Sequence, residues 1–204
     1  MVDSKRAALT QVPISVGGVK KPPSTIGNYI ILKTIGYGAF GVVKLVRSTV
    51  DNQEYAMKVF ELDPAEKDRI HRSTQEEFDK IKQLNIANIP KYYEFVKDAV
   101  WTRSSGQERI VSYLLMENCQ GLEMFEFVNE IEGIQNENLL RYIFKEIIKA
   151  VYRLHTAGVA HRDIKLENIM ITRNYEVRLI DLGMFSTLAG GSKKGFFISK
   201  KGTP

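Results

Sequence analysis

The octapeptide His161-Arg162-Asp163-Ile164-Lys165-Leu166-Glu167-Asn168 sets charged and polar side chains between an apolar helical stretch and the apolar run Ile169-Met170-Ile171. Burying such a set without a task is costly, and a solvated loop does not account for its order. Asp163 can accept the proton of an incoming hydroxyl, Lys165 can neutralise a phosphoryl group in transit, and Asn168 can ligate a divalent metal. Further on, Asp181 heads the triplet Asp181-Leu182-Gly183 after a β-like run. Its carboxylate is the hard-oxygen ligand that magnesium prefers.

Two earlier segments offer complementary groups. Gly36-Tyr37-Gly38-Ala39-Phe40-Gly41-Val42-Val43 is a glycine-rich turn between two β-like runs. Glycines let the backbone approach phosphates and present N–H groups to them. Phe40 can cap such a turn, and Val43 can lie against a flat base. A ligand-free tight hairpin has the same composition. A strand follows the glycines, whereas a dinucleotide-binding unit requires a helix there. In Tyr55-Ala56-Met57-Lys58-Val59, strand alternation puts Ala56 and Lys58 on one face and Met57 and Val59 on the other. Lys58 is either a solvated strand end or an ammonium held toward phosphate by a carboxylate of the next helix. Glu77 is the first candidate for that carboxylate and Glu76 the second.

The elements that must position these groups can be read from the pattern. Residues 1–27, with Gly17, Gly18, Pro22 and Pro23, read as a flexible leader. Tyr29 begins three β-branched and apolar runs that predict an antiparallel meander. Glu66 to Leu84 places Phe78, Ile81 and Leu84 at helical spacing. Residues 91–101 and 109–117 predict two more strands, joined by a polar loop. After Gly121 the period changes to 3.6, and a long helix ending at Gly158 precedes two short strand-like segments that carry the polar clusters.

Composition narrows the classes. At 44% hydrophobic and 26% charged, the chain has the makeup of an ordinary globular protein. Its net charge of +5 comes from cations scattered among acids, which argues against a nucleic-acid partner. No apolar stretch long enough to span a bilayer and no secretory signal are present, so a cytoplasmic or nuclear location and no membrane partner are expected. The single cysteine, Cys119, has no internal disulfide partner.

Taken together, these motifs resemble the signature set of eukaryotic protein kinases of the serine/threonine type, from about Tyr29 to Pro204. The resemblance implies an α+β, protein-kinase-like fold. Residues 28–117 would form a complete five-stranded antiparallel N-lobe with one helix, and residues 118–204 the first part of a helical C-lobe. It implies ATP and Mg²⁺ as cofactors and a protein substrate with a Ser or Thr hydroxyl. Asp163, Lys165, Lys58 and Glu77 would be catalytic, with Asn168 and Asp181 on the metal. Ile35, Gly36, Tyr37, Gly38, Ala39, Phe40, Gly41 and Val43 would cover the nucleotide from one side. Val43, Ala56 and Met170 would sandwich the base, Met116 would guard the back of its pocket, Glu117 to Cys119 would form the hinge, and Glu123 would reach the ribose. Lys165 after Asp163 and Ile164 is the serine/threonine pattern. Thr203 would belong to the substrate-hydroxyl loop, and Ser199 to the position whose phosphate pairs with Arg162, with Ser192 less well placed.

Leu182 stands where phenylalanine is more usual, and Leu166 where proline is frequent, both mild changes. The family continues past Gly202-Thr203-Pro204 into an Ala-Pro-Glu motif and further helices. Their absence predicts a fragment of a longer kinase, with apolar faces of the helix around Leu139 to Leu154 left partly exposed. A catalytically incompetent ATP-binding or regulatory module is the competing reading.

Overall fold

A computed structural model describes residues 21–38, 41–130 and 136–187. β1 (Thr25–Ile26), β2 (Tyr29–Gly38), β3 (Gly41–Ser48) and β4 (Glu54–Phe60) precede helix α1 (Pro64–Lys82). β5 (Tyr92–Thr102) and β6 (Glu108–Glu117) complete a closed antiparallel barrel in the order β1-β2-β3-β4-β6-β5. The meander, the helix and the second hairpin follow the predicted pattern, but the barrel has a sixth strand. Thr25 and Ile26, assigned from sequence to the leader, pair with β2 on one side and β5 on the other. Ile26 is fully buried, which fixes the seam, and Gly27 at φ +52° makes the turn into β2.

Period-2 alternation divides the barrel wall into two apolar faces. Met57 and Val59 of β4 point inward with Val46, Val111, Tyr113 and Leu115. Phe60 and Leu114 point outward and pack with Phe78 and Ile81 of α1. That outward face is shared with the second half of the chain, so one apolar cluster continues into it through Met124, Ile143, Leu154, Leu179 and Leu182. α1 begins where the Asp63 side chain accepts from the Ala65 amide at 2.8 Å, with Pro64 in the first turn.

The second half contains β7 (Gly121–Glu123), α2 (Met124–Glu130), α3 (Glu137–Thr156) and β8 (Val159–Ala160). A 3₁₀ turn (Leu166–Asn168), β9 (Ile169–Thr172), β10 (Val177–Leu179) and β11 (Ser186–Thr187) follow. β10, β9 and β7 form a small sheet, and β11 pairs with β8. Asn136 caps α3 through the Leu139 amide at 3.1 Å, and Gly158 at φ +73° ends it, as its sequence predicts. Along α3, Leu140, Phe144, Ile148 and Tyr152 recur every fourth residue and are exposed, in line with the expected uncovered face. The opposite face buries Ile143, Ala150 and Leu154.

Asn88, in the loop before β5, ties the two halves. Its side chain donates to the Val177 carbonyl at 2.9 Å and accepts from Arg153, while its carbonyl accepts from the Leu179 amide at 2.8 Å. The joint core fixes how the halves meet, so Leu154→Ala, which empties a fully buried site, is expected to cost about 3 kcal/mol. Urea denaturation followed by circular dichroism measures this, and an unchanged midpoint would contradict a common core.

Candidate active site

β3, β4 and the loops around β9 and β10 bring the sequence-predicted residues together. Val43 is the register partner of Lys58 across β3 and β4, and Ala56 that of Met116 across β4 and β6. Lys58 is buried on the outward face of β4, and its Nζ reaches Asp181 Oδ1 at 2.8 Å, 123 positions along the chain. Desolvation acts against the Asp181 charge. The Lys58 ammonium, its hydrogen bond and the Gly183 amide outweigh it and hold the carboxyl below its ordinary value.

Of the two carboxylates offered by α1, Glu76 is exposed and Glu77 buried, which selects Glu77. The expected Lys58–Glu77 ion pair is not formed. Glu77 Oε1 instead accepts the Tyr92 hydroxyl at 2.7 Å, and the ammonium goes to Asp181. The two groups are nonetheless neighbours: a methyl placed on Gly183 would lie 3.6 Å from Lys58 Nζ and 3.9 Å from Glu77 Oε2. Burial pushes the Glu77 carboxyl above its usual range, and the Lys58 charge and Tyr92 hydroxyl offset this only in part.

The 161–168 loop is organised around two buried side chains, His161 and Asn168. His161 Nε2 bonds the Ile180 carbonyl at 3.0 Å and its Nδ1 faces the Asp163 amide at 3.3 Å. The first contact needs an N–H and the second a lone pair, which defines a neutral imidazole. Burial lowers its pKa in agreement. The ring thereby couples the Asp163 loop to the residue before Asp181. Asn168 donates both amide protons to Asp163, to Oδ2 and to the backbone carbonyl, each at 2.8 Å, and Lys165 Nζ lies 3.3 Å from the same Oδ2. Arg162 and Asp181 both hold the left-handed backbone conformation, at φ +70° and +55°. Such geometry in non-glycine residues persists where surrounding contacts over-determine it.

Neither Asn168 Oδ1, whose nitrogen is spent on Asp163, nor Asp181 Oδ2, whose Oδ1 holds Lys58 and the Gly183 amide, has a hydrogen-bond partner among the described residues. One carboxylate and one amide oxygen make a hard donor set that fits magnesium, which keeps few protein ligands.

Other predicted residues lie on or beside β2, β6, β7 and β9. Glu123 and Met170 are register partners across β7 and β9, and burial raises the Glu123 carboxyl. Glu117, at the end of β6, joins both halves: it accepts the Lys91 amide at 3.1 Å and lies 3.6 Å from Arg178 of β10. Cys119 has its thiol pushed up to about 11 by burial and the Glu117 charge, which makes it a poor nucleophile at neutral pH. Ile35 sits at a register shift in β2 and is 40% exposed, and Tyr37 is 85% exposed. Gly36 and Gly38 pair with Val43 and Gly41. A side chain at Gly41 would meet the Val59 carbonyl at 2.2 Å, so close strand packing itself requires this glycine. Ala39, Phe40, Ser192, Ser199 and Thr203 lie outside the described residues. Sequence reasoning missed Tyr92 and Arg178, which read as ordinary strand residues and carry no motif.

Comparison with known proteins gives a consistent picture. Residues 29–204 match the family described as protein kinase domain. A probable serine/threonine-protein kinase MARK-A of Dictyostelium discoideum is 31% identical over 175 residues, which is 84% of this chain and 15% of the relative. Serine/threonine-protein kinase SIK1 of Mus musculus is also 31% identical over 175 residues, 84% of this chain and 20% of that protein. The chain thus spans about a fifth or less of the length of these relatives.

Proposed function

The chain belongs to the protein kinase family, serine/threonine type, and from that premise we propose that it transfers the γ-phosphoryl group of ATP to a serine or threonine hydroxyl of a protein. The observation that carries the reading is the convergence of Lys58 on Asp181 at 2.8 Å beside the Asp163–Asn168 pair, groups drawn from opposite halves of the chain. ATP lies between Val43 and Ala56 on one side and Met170 on the other, with Glu117 to Cys119 along the adenine edge and Glu123 at the ribose. Backbone amides of the glycine turn and the Lys58 ammonium hold the phosphates. Asp163 orients the acceptor hydroxyl and takes its proton, and Lys165 balances charge on the moving phosphoryl group. Asp181 and Asn168 hold magnesium, whose positive charge offsets that of the phosphates. The rate gain comes from positioning and charge neutralisation. By the family resemblance, Thr203 belongs to the substrate-hydroxyl loop and Ser199 is the candidate position for phosphorylation.

Two measurements test this. Mg·ATP is expected to raise the melting temperature, and radiolabelled γ-phosphate is expected on Ser or Thr of a generic basic protein substrate. Absence of both effects would overturn the reading, and stabilisation without transfer would favour a nucleotide-binding module. Among the described residues no helix is long and apolar enough to cross a membrane.

A further inference from the structure

Where β1 meets β5, a group of side chains has no part in the site above. Arg103 and Lys44 both lie against the Trp101 ring, the guanidinium carbon 4.9 Å and the ammonium 5.7 Å from its centre. No carboxylate among the described residues pairs with either cation. Lys44 donates to the Thr34 hydroxyl at 2.7 Å, and Arg103 Nε is buried with no hydrogen-bond partner among those residues. A buried guanidinium N–H left unpaired is costly, and an anion is the partner that relieves it best.

Ser24 offers an atom on which such an anion can be built. Its Oγ accepts from the Trp101 indole at 2.7 Å and donates to the Thr102 carbonyl at 3.2 Å. Pairing of Thr25 with Thr102 and of Ile26 with Trp101 sets Ser24 opposite Arg103, and facing side chains begin about 5 Å apart. Ser24 is half-buried beside a strand of only two residues, so local opening exposes it far more cheaply than unfolding does. In the sequence Lys20, Lys21, Pro22 and Pro23 lead into it, an extended and basic approach.

We propose that Ser24 is a phosphorylation site whose phosphate is received by Arg103 and Lys44 beside Trp101, tying β1 to β5 and β3 by charge. The donor is ATP held by a kinase directed to basic sequences. Ser24 Oγ bonds to the γ-phosphorus, the bond from that phosphorus to the β–γ bridging oxygen breaks, ADP leaves, and the hydroxyl proton passes to that kinase's base. The product carries nearly two negative charges and three acceptor oxygens. These oxygens take the Arg103 N–H groups and the Lys44 ammonium, while the donation from Ser24 to Thr102 is lost. None of these groups belongs to the nucleotide site assigned above, so loss of that site leaves the Ser24 chemistry intact.

Incubating the full chain with Mg·ATP and a basic-directed serine/threonine kinase, then mapping phosphate by tandem mass spectrometry, tests the acceptor. Phosphate is expected on Ser24 and is absent from that peptide in Ser24→Ala; a chain never modified at Ser24 would overturn the site. Phosphorus NMR of the product then tests the receiving cations. The second pKa of the phosphate, ordinarily about 6, is expected roughly one unit lower in the folded chain than in urea, because adjacent cations favour the dianion. Equal values in the two states would overturn the clamp, and that comparison needs no variant. Arg103→Gln and Lys44→Gln are each expected to remove part of the shift, and a full shift surviving in both would place the phosphate elsewhere and overturn it as well.

Discussion

Asp163→Asn is expected to lower kcat for phosphoryl transfer by roughly two to four orders of magnitude, the range of a lost general base. Asparagine has nearly the shape of aspartate and can still accept the Asn168 amide proton that now reaches Asp163 Oδ2 at 2.8 Å. The loop therefore keeps its form. What disappears is the charge proposed to align the acceptor hydroxyl and take its proton. No phosphate-binding role is assigned to Asp163, so stabilisation by Mg·ATP should persist. Steady-state transfer kinetics beside a thermal-shift titration separate the two quantities. A rate within tenfold of wild type would remove Asp163 from the chemistry, and loss of ATP binding would show that it shapes the site instead.

Asp181→Asn strikes the other pole of the site. Among the described residues, Asp181 is the carboxylate that holds Lys58, and its Oδ2 is one of the two oxygens proposed to hold magnesium. The substitution removes a full negative charge beside a divalent cation, where a carboxylate is the preferred ligand. Transfer is expected to fall below detection. The gain in ATP affinity that magnesium brings should vanish, so that titrations with magnesium and with EDTA give the same dissociation constant. The fold should survive, since the buried Lys58 ammonium can turn to Glu77 close by. An undiminished magnesium effect would mean that the metal is held elsewhere.

Both sites of substitution were legible in the sequence because each belongs to an ordered motif whose residue types have no purely structural explanation. The face of Lys58 was equally legible, since strand alternation fixes which side chains share a side, and Met57 and Val59 do point into the barrel. The partner of Lys58 was not legible. Two carboxylates 104 positions apart, Glu77 and Asp181, compete for one ammonium, and the outcome depends on a third group. Tyr92 gave no warning, because an aromatic residue at the start of a strand is what β-propensity alone would place there. Asn88 escaped notice for a similar reason: a lone asparagine in a loop is ordinary until its three bonds to the second half are seen. β1 was missed because two residues are too short to show any period.

That two-residue strand has a practical consequence. It is the piece that joins β2 to β5 and so turns an open sheet into a barrel. A chain trimmed to begin at Tyr29, where the family match begins, would leave two strand borders with unsatisfied amides and carbonyls. Such borders invite pairing between molecules. Expression clones intended to stay monomeric therefore belong upstream of Ser24, whose hydroxyl accepts from the Trp101 indole at 2.7 Å and latches the seam.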